Sequence, residues 1–384
     1  MPSEPPVYLD HAATTPVRTE VREAMLPWLS ERFGNPSSVH AQGREARAAL
    51  DDARARVATL LGATPQEIVF TRGGTEADNL AVLGRTRAAP GAPVVCSAFE
   101  HRAVLASAQQ AQREGHPLRL LPVDEHGVVA TDALDDWLAD APAVVSVMWV
   151  NNEAGSIQPV ERLAARCRAA GVVFHSDGVQ ALGKLRVRVD ELPVDLLSLS
   201  AHKLGGPKGA GALFVRRGVE LTPLVHGGAQ EHGLRAGTED VAGAVGFALA
   251  AELAEREREE TMRRLATLRD RLQQGLRERV PGLVVNAAAA PRVATTLNVS
   301  VPGALAEMLL PALDAAGLAV SSGSACRSGA VTPSHTLTAM GLPAELAAPS
   351  VRFSLGRDTT AAEIERALGV FPEVMERLRA FAGA

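Results

Sequence analysis

Cysteine is scarce: the 384 residues contain three, Cys96, Cys167 and Cys326, far apart in the chain. That spacing excludes a disulfide-built scaffold and a paired-cysteine zinc site. It suits a reducing cytoplasm, where a thiol can be a reagent. No stretch is apolar and long enough to span a bilayer, and Met1 to Pro16 lack the basic and apolar regions of a secretion signal. An excess of positive charge is also missing. With a formal net charge of -5 and a pI near 6.1, the chain carries no electrostatic footprint for nucleic acid or an anionic membrane. No glycine-rich turn ends in lysine followed by serine or threonine, so a nucleotide P-loop is excluded. No helix carries two histidines at metal spacing, and internal repeats are absent.

What is present reads as an α/β protein. Between Leu60 and Val215, short β-branched runs (Ile68-Val69-Phe70, Val94-Val95-Cys96, Val144 to Val150, Val172-Val173-Phe174) alternate with helical stretches at Arg44 to Leu61, Thr75 to Arg87, Arg102 to Arg113 and Val160 to Ala170. That alternation predicts a mostly parallel sheet covered by helices, with functional loops at the carboxyl ends of the strands. After Asp240 the pattern becomes a long charged helix whose Leu265, Leu268, Leu272 and Leu276 form one packing stripe. Strands at Ala294 to Val301 and Ser350 to Leu355, with helices at Ala304 to Ala315 and Ala361 to Arg379, predict a second, smaller α+β domain.

Five segments carry chemistry. In Asp195 to Pro207 an apolar strand runs into Ser200-Ala201-His202-Lys203 and then glycines. A lysine there can form a Schiff base with an aldehyde cofactor, and its hydroxyl and imidazole neighbours can hold a phosphate. In FHSDGVQ, Phe174 to Gln180, a strand ends in Asp177, with His175, Asp177 and Val179 expected on one face. A buried aspartate needs a cation, and a pyridinium nitrogen is one; aspartate plus lysine on neighbouring strand ends is the recurring signature of pyridoxal phosphate sites. In TRGGTEADN, Thr71 to Asn79, Gly74 and Thr75 open a helix whose N-terminus can bind phosphate. Glu100-His101 follows the strand at Val94, placing an imidazole at the same edge. Ala319 to Gly329 presents Cys326 beside Arg327 in a loop of small residues, the setting of a reactive thiol, whereas Cys96 in a strand and Cys167 in a helix suit inert packing.

With these residues assembled, the chain resembles the cysteine desulfurases of the iron-sulfur assembly and nitrogenase-maturation type, within the fold-type I pyridoxal-phosphate enzymes. The resemblance runs through YLDHAATTP, FGNPSS, TEADN, EHRAV, VNNEAG, SAHK, GPKGAGAL, LRAGTED, SSGSAC and VRFSLGR. It implies a seven-stranded sheet, a large cofactor domain over residues 15–255, and a small domain made of 1–14 and 256–384 that carries the cysteine loop. It implies that Lys203 holds pyridoxal 5'-phosphate covalently, Asp177 pairs with the ring nitrogen, His101 stacks on the ring and Gln180 bonds the phenolic oxygen. Thr75, Ser200 and His202 then hold the phosphate, joined by Thr238 from the partner subunit of a homodimer. Asn152 and Arg352 hold the carboxylate of L-cysteine, and Cys326 accepts the sulfur as a persulfide while L-alanine leaves.

The same resemblance implies a sulfur-acceptor protein such as an iron-sulfur scaffold or a tRNA-thiolation protein, with no direct nucleic acid contact. Cys326 argues against a plain aminotransferase, and the intact lysine, aspartate and cysteine argue against a non-catalytic cofactor binder. A selenocysteine lyase stays open. Arg72, His232 and Ala236 depart from the pattern, where serine, arginine and serine are common. The short segment after Arg379, where housekeeping relatives carry a docking tail, sets the expectation of weak scaffold binding.

Overall fold

The computed structural model describes residues 5–323, 325–327 and 330–382. The β-branched runs form a seven-stranded sheet: β1 (Ile68–Thr71), β2 (Val94–Ser97), β3 (Leu118–Leu121), β4 (Val144–Ser146), β5 (Phe174–Asp177), β6 (Leu196–Ser200) and β7 (Gly211–Val215). Their spatial order is β1-β7-β6-β5-β4-β2-β3. Only β7 runs against its neighbours, pairing antiparallel with β1 and β6; the other pairs are parallel. Every residue of β2, β4, β5, β6 and β7 is buried, which is why β2, β4, β6 and β7 read as mostly apolar runs rather than alternating ones, while β5 buries His175, Ser176 and Asp177.

The covering helices are α1 (Ala41–Leu61), α2 (Gly74–Ala88), α3 (Arg102–Arg113) and α4 (Val160–Ala169). The expected strand from Val144 to Val150 is regular only to Ser146. Val147 and Trp149 still donate to the carbonyls of His175 and Asp177, so the extended run outlasts the strand proper. Gly62 ends α1 at φ 70°, a left-handed cap that a side chain would strain.

Helix α5 (Val241–Arg279) is one 39-residue element, started by Asp240 accepting from the Gly243 N–H. Its first turns place Ala244, Phe247, Ala248 and Ala251 in the core around the main sheet. Its later turns place Leu265, Leu268, Leu272 and Leu276 in a second core, as the leucine stripe predicts. That second core packs against the antiparallel strands Thr296–Ser300 and Ser350–Ser354 and takes Ile364, Leu368 and Phe371 from α6 (Ala361–Ala382). Val7 and Leu9 join it from the other end of the chain. Among the described residues no helix is long and apolar enough to cross a membrane.

Candidate active site

The carboxyl ends of β1, β2, β4, β5 and β6 lie along one edge of the sheet, and the chemistry-bearing segments follow them. Asp177 closes β5 and is 5% exposed; its Oδ1 accepts from the Val179 N–H at 2.9 Å. Val179 lies beyond the strand, so it does not extend the His175–Asp177 face as expected. It packs instead on the start of α2, where a Cβ on Gly74 would come within 2.6 Å of it. Burial pushes the Asp177 carboxyl up, against the opposing pull of His101 and Lys203. The reactive atoms of Asp78, His101 and Asp177 all lie within 4.8 Å of one another. His101 caps α3, its Nδ1 accepting from the Ala103 N–H at 3.2 Å, so the ring proton belongs on Nε2.

Lys203 ends the short turn that follows β6. Its Nζ donates to the carbonyls of Ala12 and Ala13, at 2.7 Å each. Burial and the nearby Arg352 bring its pKa down to about 8, with Asp177 and Asp10 opposing. Gln180 donates to the same Ala12 carbonyl at 2.9 Å. His202 Nδ1 lies 3.1 Å from Thr14 Oγ1, and burial followed by Lys203 and Lys208 lowers it to about 4, so the ring is neutral near pH 7.

The donor set fits a cofactor with a phosphate and a cationic ring. Ser200 Oγ is buried without a partner among the described residues, and α2 starts at Gly73 with no side-chain cap. Its first N–H groups are therefore free for an anion, and Gly73, at φ 136° and beside Ser200, leaves room for one. Thr75 is exposed on that first turn. Asp177 is a buried carboxylate in want of a cation, which a pyridinium would supply.

Arg352 is 7% exposed, donating to Asp10 Oδ1 at 2.7 Å and to the Asn152 carbonyl at 2.8 Å. Asn152 thus meets Arg352 through its backbone. The cysteine segment leaves from beside this pair, since Ser321 and Arg352 exchange backbone hydrogen bonds. It returns at Ser334, whose hydroxyl bonds Glu153. The backbone of Cys326 lies in a short hairpin, Ala325–Arg327 with Ala330–Thr332, rather than in a plain loop; its thiol lies outside the described part of the structure. Cys96 and Cys167 are buried, and burial raises both thiols, Cys167 to about 12. Thr238 is exposed on its own chain, in a segment tied to the start of α2 by Arg72–Asp240 and Arg235–Glu76 ion pairs.

Four residues of this site escaped the sequence reading: Asp10, Asp78, Glu153 and Lys184. Asp10, Asp78 and Glu153 stand inside motifs already singled out, YLDHAATTP, TEADN and VNNEAG. Lys184 had only its spacing of four residues after Gln180 as a signal.

The Aminotransferase class-V family model matches residues 7–367. The Cysteine desulfurase IscS of Methanosarcina thermophila is 45% identical over 375 residues, covering 97% of this chain and 93% of that protein. A Cysteine desulfurase of Gluconacetobacter diazotrophicus is 46% identical over 376 residues, covering 97% and 94%. Among solved structures, a NifS-like protein superposes with a TM-score of 0.91 at 35% identity, covering 97% of this chain and 100% of that one. A structure described as SspA in complex with cysteine gives 0.79 at 34%, covering 92% and 99%. Sequence and fold agree: the chain belongs to the cysteine desulfurases, pyridoxal-phosphate enzymes of the class-V aminotransferase family.

Proposed function

We propose that this enzyme takes sulfur from L-cysteine onto Cys326, with Lys203, Asp177 and the Ser200 hydroxyl as the groups that hold and direct the cofactor. The observation that carries the assignment is their meeting at adjacent strand ends: a carboxylate raised by burial and held in no ion pair of its own, a lysine lowered to about 8, and a buried hydroxyl without a hydrogen-bond partner among the described residues. Pyridoxal phosphate, when bound, supplies a cationic ring that draws electrons from the substrate Cα. With it bound, Asp177 would hold a proton on the ring nitrogen, His101 would cover the ring, and Gln180 would donate to its phenolic oxygen. Ser200, His202, Thr75 and the first N–H groups of α2 would hold the phosphate.

Lys203 would carry the cofactor and, once free, would move the Cα proton; a lysine amine brought down to about 8 is neutral often enough to act as that base. Arg352 and Asn152 orient the substrate carboxylate. The Cys326 thiolate then attacks the substrate sulfur. A sulfur–sulfur bond forms, the carbon–sulfur bond breaks with its electron pair left on carbon, and protonation there gives alanine. The substrate carbon is reduced and its sulfur oxidised to the sulfane level, so no outside oxidant is needed.

A homodimer is part of this reading. Leu26, Leu29, Phe33 and Val39 are exposed on one stretch of chain, and Thr238, exposed on its own chain, would serve a partner's phosphate site. A sulfur-acceptor protein, an iron-sulfur scaffold or a tRNA-thiolation protein, completes the cycle in a reducing cytoplasm. The decisive variant is Cys326→Ser: it binds cofactor and changes its spectrum on adding cysteine, yet forms no persulfide and releases no alanine. Mass spectrometry of the wild type after cysteine should find the added sulfur on the Cys326 peptide; sulfur on Cys96 or Cys167 would falsify the assignment.

A further inference from the structure

Lys184 follows Gln180 by four residues, and its Nζ donates to Gln180 Oε1. Gln180 Nε2 donates in turn to the Ala12 carbonyl at 2.9 Å, which also accepts from Lys203 Nζ at 2.7 Å. A glutamine amide has one carbonyl oxygen and two N–H groups. With the oxygen held by Lys184 and one N–H by Ala12, a single N–H is left to offer on a side chain only 5% exposed. Without a donor at Oε1, only the Ala12 carbonyl would hold the amide this way round, and a turn of the amide would offer its oxygen at the cost of that one bond.

Lys184 also lines, with Lys203, a cavity of about 260 Å³ between the 11–19 segment, α5 and residues 354–358. Across that cavity stand Arg18, Glu257, Arg357 and Asp358, with Glu257 already engaged by Arg18 at 2.7 Å. Burial and the cations Lys203 and Arg352 bring Lys184 down to about 7. It keeps its N–H donors in either protonation state.

We propose that Lys184 is a positioning residue: by occupying Gln180 Oε1 it fixes the amide with an N–H toward the cofactor's phenolic oxygen, and so sets the acidity of the Lys203–cofactor linkage. The proposal rests on the reading that Gln180 faces that oxygen. A hydrogen bond donated to a phenolate lowers its basicity. The linkage proton is shared with that oxygen, so losing the donor makes the proton harder to remove and raises the linkage pKa.

The test is a spectroscopic pH titration of the cofactor-loaded protein. Lys184→Met should raise the linkage pKa by about one unit, the shift of a lost charge-assisted hydrogen bond. Lys184→Arg, which keeps a donor, should stay close to wild type, and Gln180→Leu should shift in the same direction as Lys184→Met. In the double variant, adding Lys184→Met to Gln180→Leu should contribute less than half of its separate shift, because the two act as one unit. A shift in Gln180→Leu with none in Lys184→Met, or fully additive shifts, overturns the role of Lys184. No shift in Gln180→Leu overturns the underlying reading of Gln180 instead. Melting curves of the loaded variants separate either result from misfolding.

Discussion

The two cores of this protein are packed on different terms. The second core, around Leu272, Phe353 and Phe371, is apolar, and the buried amides at its strands are paired: Asn286 donates to Asn298 at 2.7 Å and to Ser300 at 2.9 Å. At the carboxyl edge of the main sheet, Asp78, Glu100, His175 and Asp177 are buried within the fold. There Asp78 Oδ1, Glu100 Oε2 and Ser200 Oγ lack hydrogen-bond partners among the described residues, Asp78 Oδ1 standing 3.7 Å from His175 Nε2. Buried polar atoms left unmet cost stability, on the order of 1–3 kcal/mol each. A fold carries such groups in numbers where a ligand or a reaction answers them. The contrast teaches where this molecule is built for persistence and where for chemistry.

Breaking the contrast at its functional end gives the largest effect. Lys203→Ala should reduce alanine release below detection and remove the covalently held cofactor absorbance, because the other lysine lining the cavity, Lys184, is engaged with Gln180. Its melting temperature without cofactor should stay close to that of the wild type. A variant that keeps the covalent absorbance would move the attachment to another lysine. Breaking it at the structural end should do the reverse. Leu272 is fully buried in the second core, so Leu272→Ala should cost about 2–5 kcal/mol of stability, measured by denaturant unfolding. Turnover per folded, cofactor-loaded molecule should stay near wild type. A turnover loss exceeding the unfolded fraction would mean the second core reaches into the chemistry.

The same contrast explains what could be read from the sequence. The apolar runs fix the strands, and the leucine stripe at 265–276 identifies the later turns of α5, because both patterns are local and periodic. Asp177 and Lys203 are legible because each ends an apolar run and the two runs pair as neighbours. The polar groups that join across the sheet are not. His175 meets Ser146 and Ser198 from the two flanking strands, at 2.8 Å and 2.9 Å. Asp10 reaches Arg352 across 342 positions of sequence. No local periodicity encodes such contacts, so they appear only once the strand order is known. The hairpin at Cys326 is a smaller case: Ser, Gly and Ala carry little strand preference, and its ends are set by distant partners, Arg352 and Glu153.

The buried polar cluster makes a finer prediction through pH. Burial lowers His175 to about 3, below its ordinary value near 6.5. Between those values the unfolded chain binds a proton that the folded protein refuses, so this group makes stability fall as pH drops below 6.5, by about 1.4 kcal/mol per unit. Glu100 works the other way. Burial raises it to about 8 from 4.5, so between those values the folded protein holds a proton that the unfolded chain releases, and stability rises as pH falls. From pH 6.5 to 4.5 the two slopes oppose one another in the wild type. In His175→Gln the histidine contribution is gone while a polar side chain remains to face Ser146 and Ser198. Unfolding free energies across that range should therefore rise on acidification relative to wild type, with a slope difference of about 1.4 kcal/mol per pH unit. The offset caused by the substitution itself does not enter a slope. Parallel pH profiles for the two proteins would show that His175 takes up a proton in the folded state, and that the buried cluster is wetter than its packing implies.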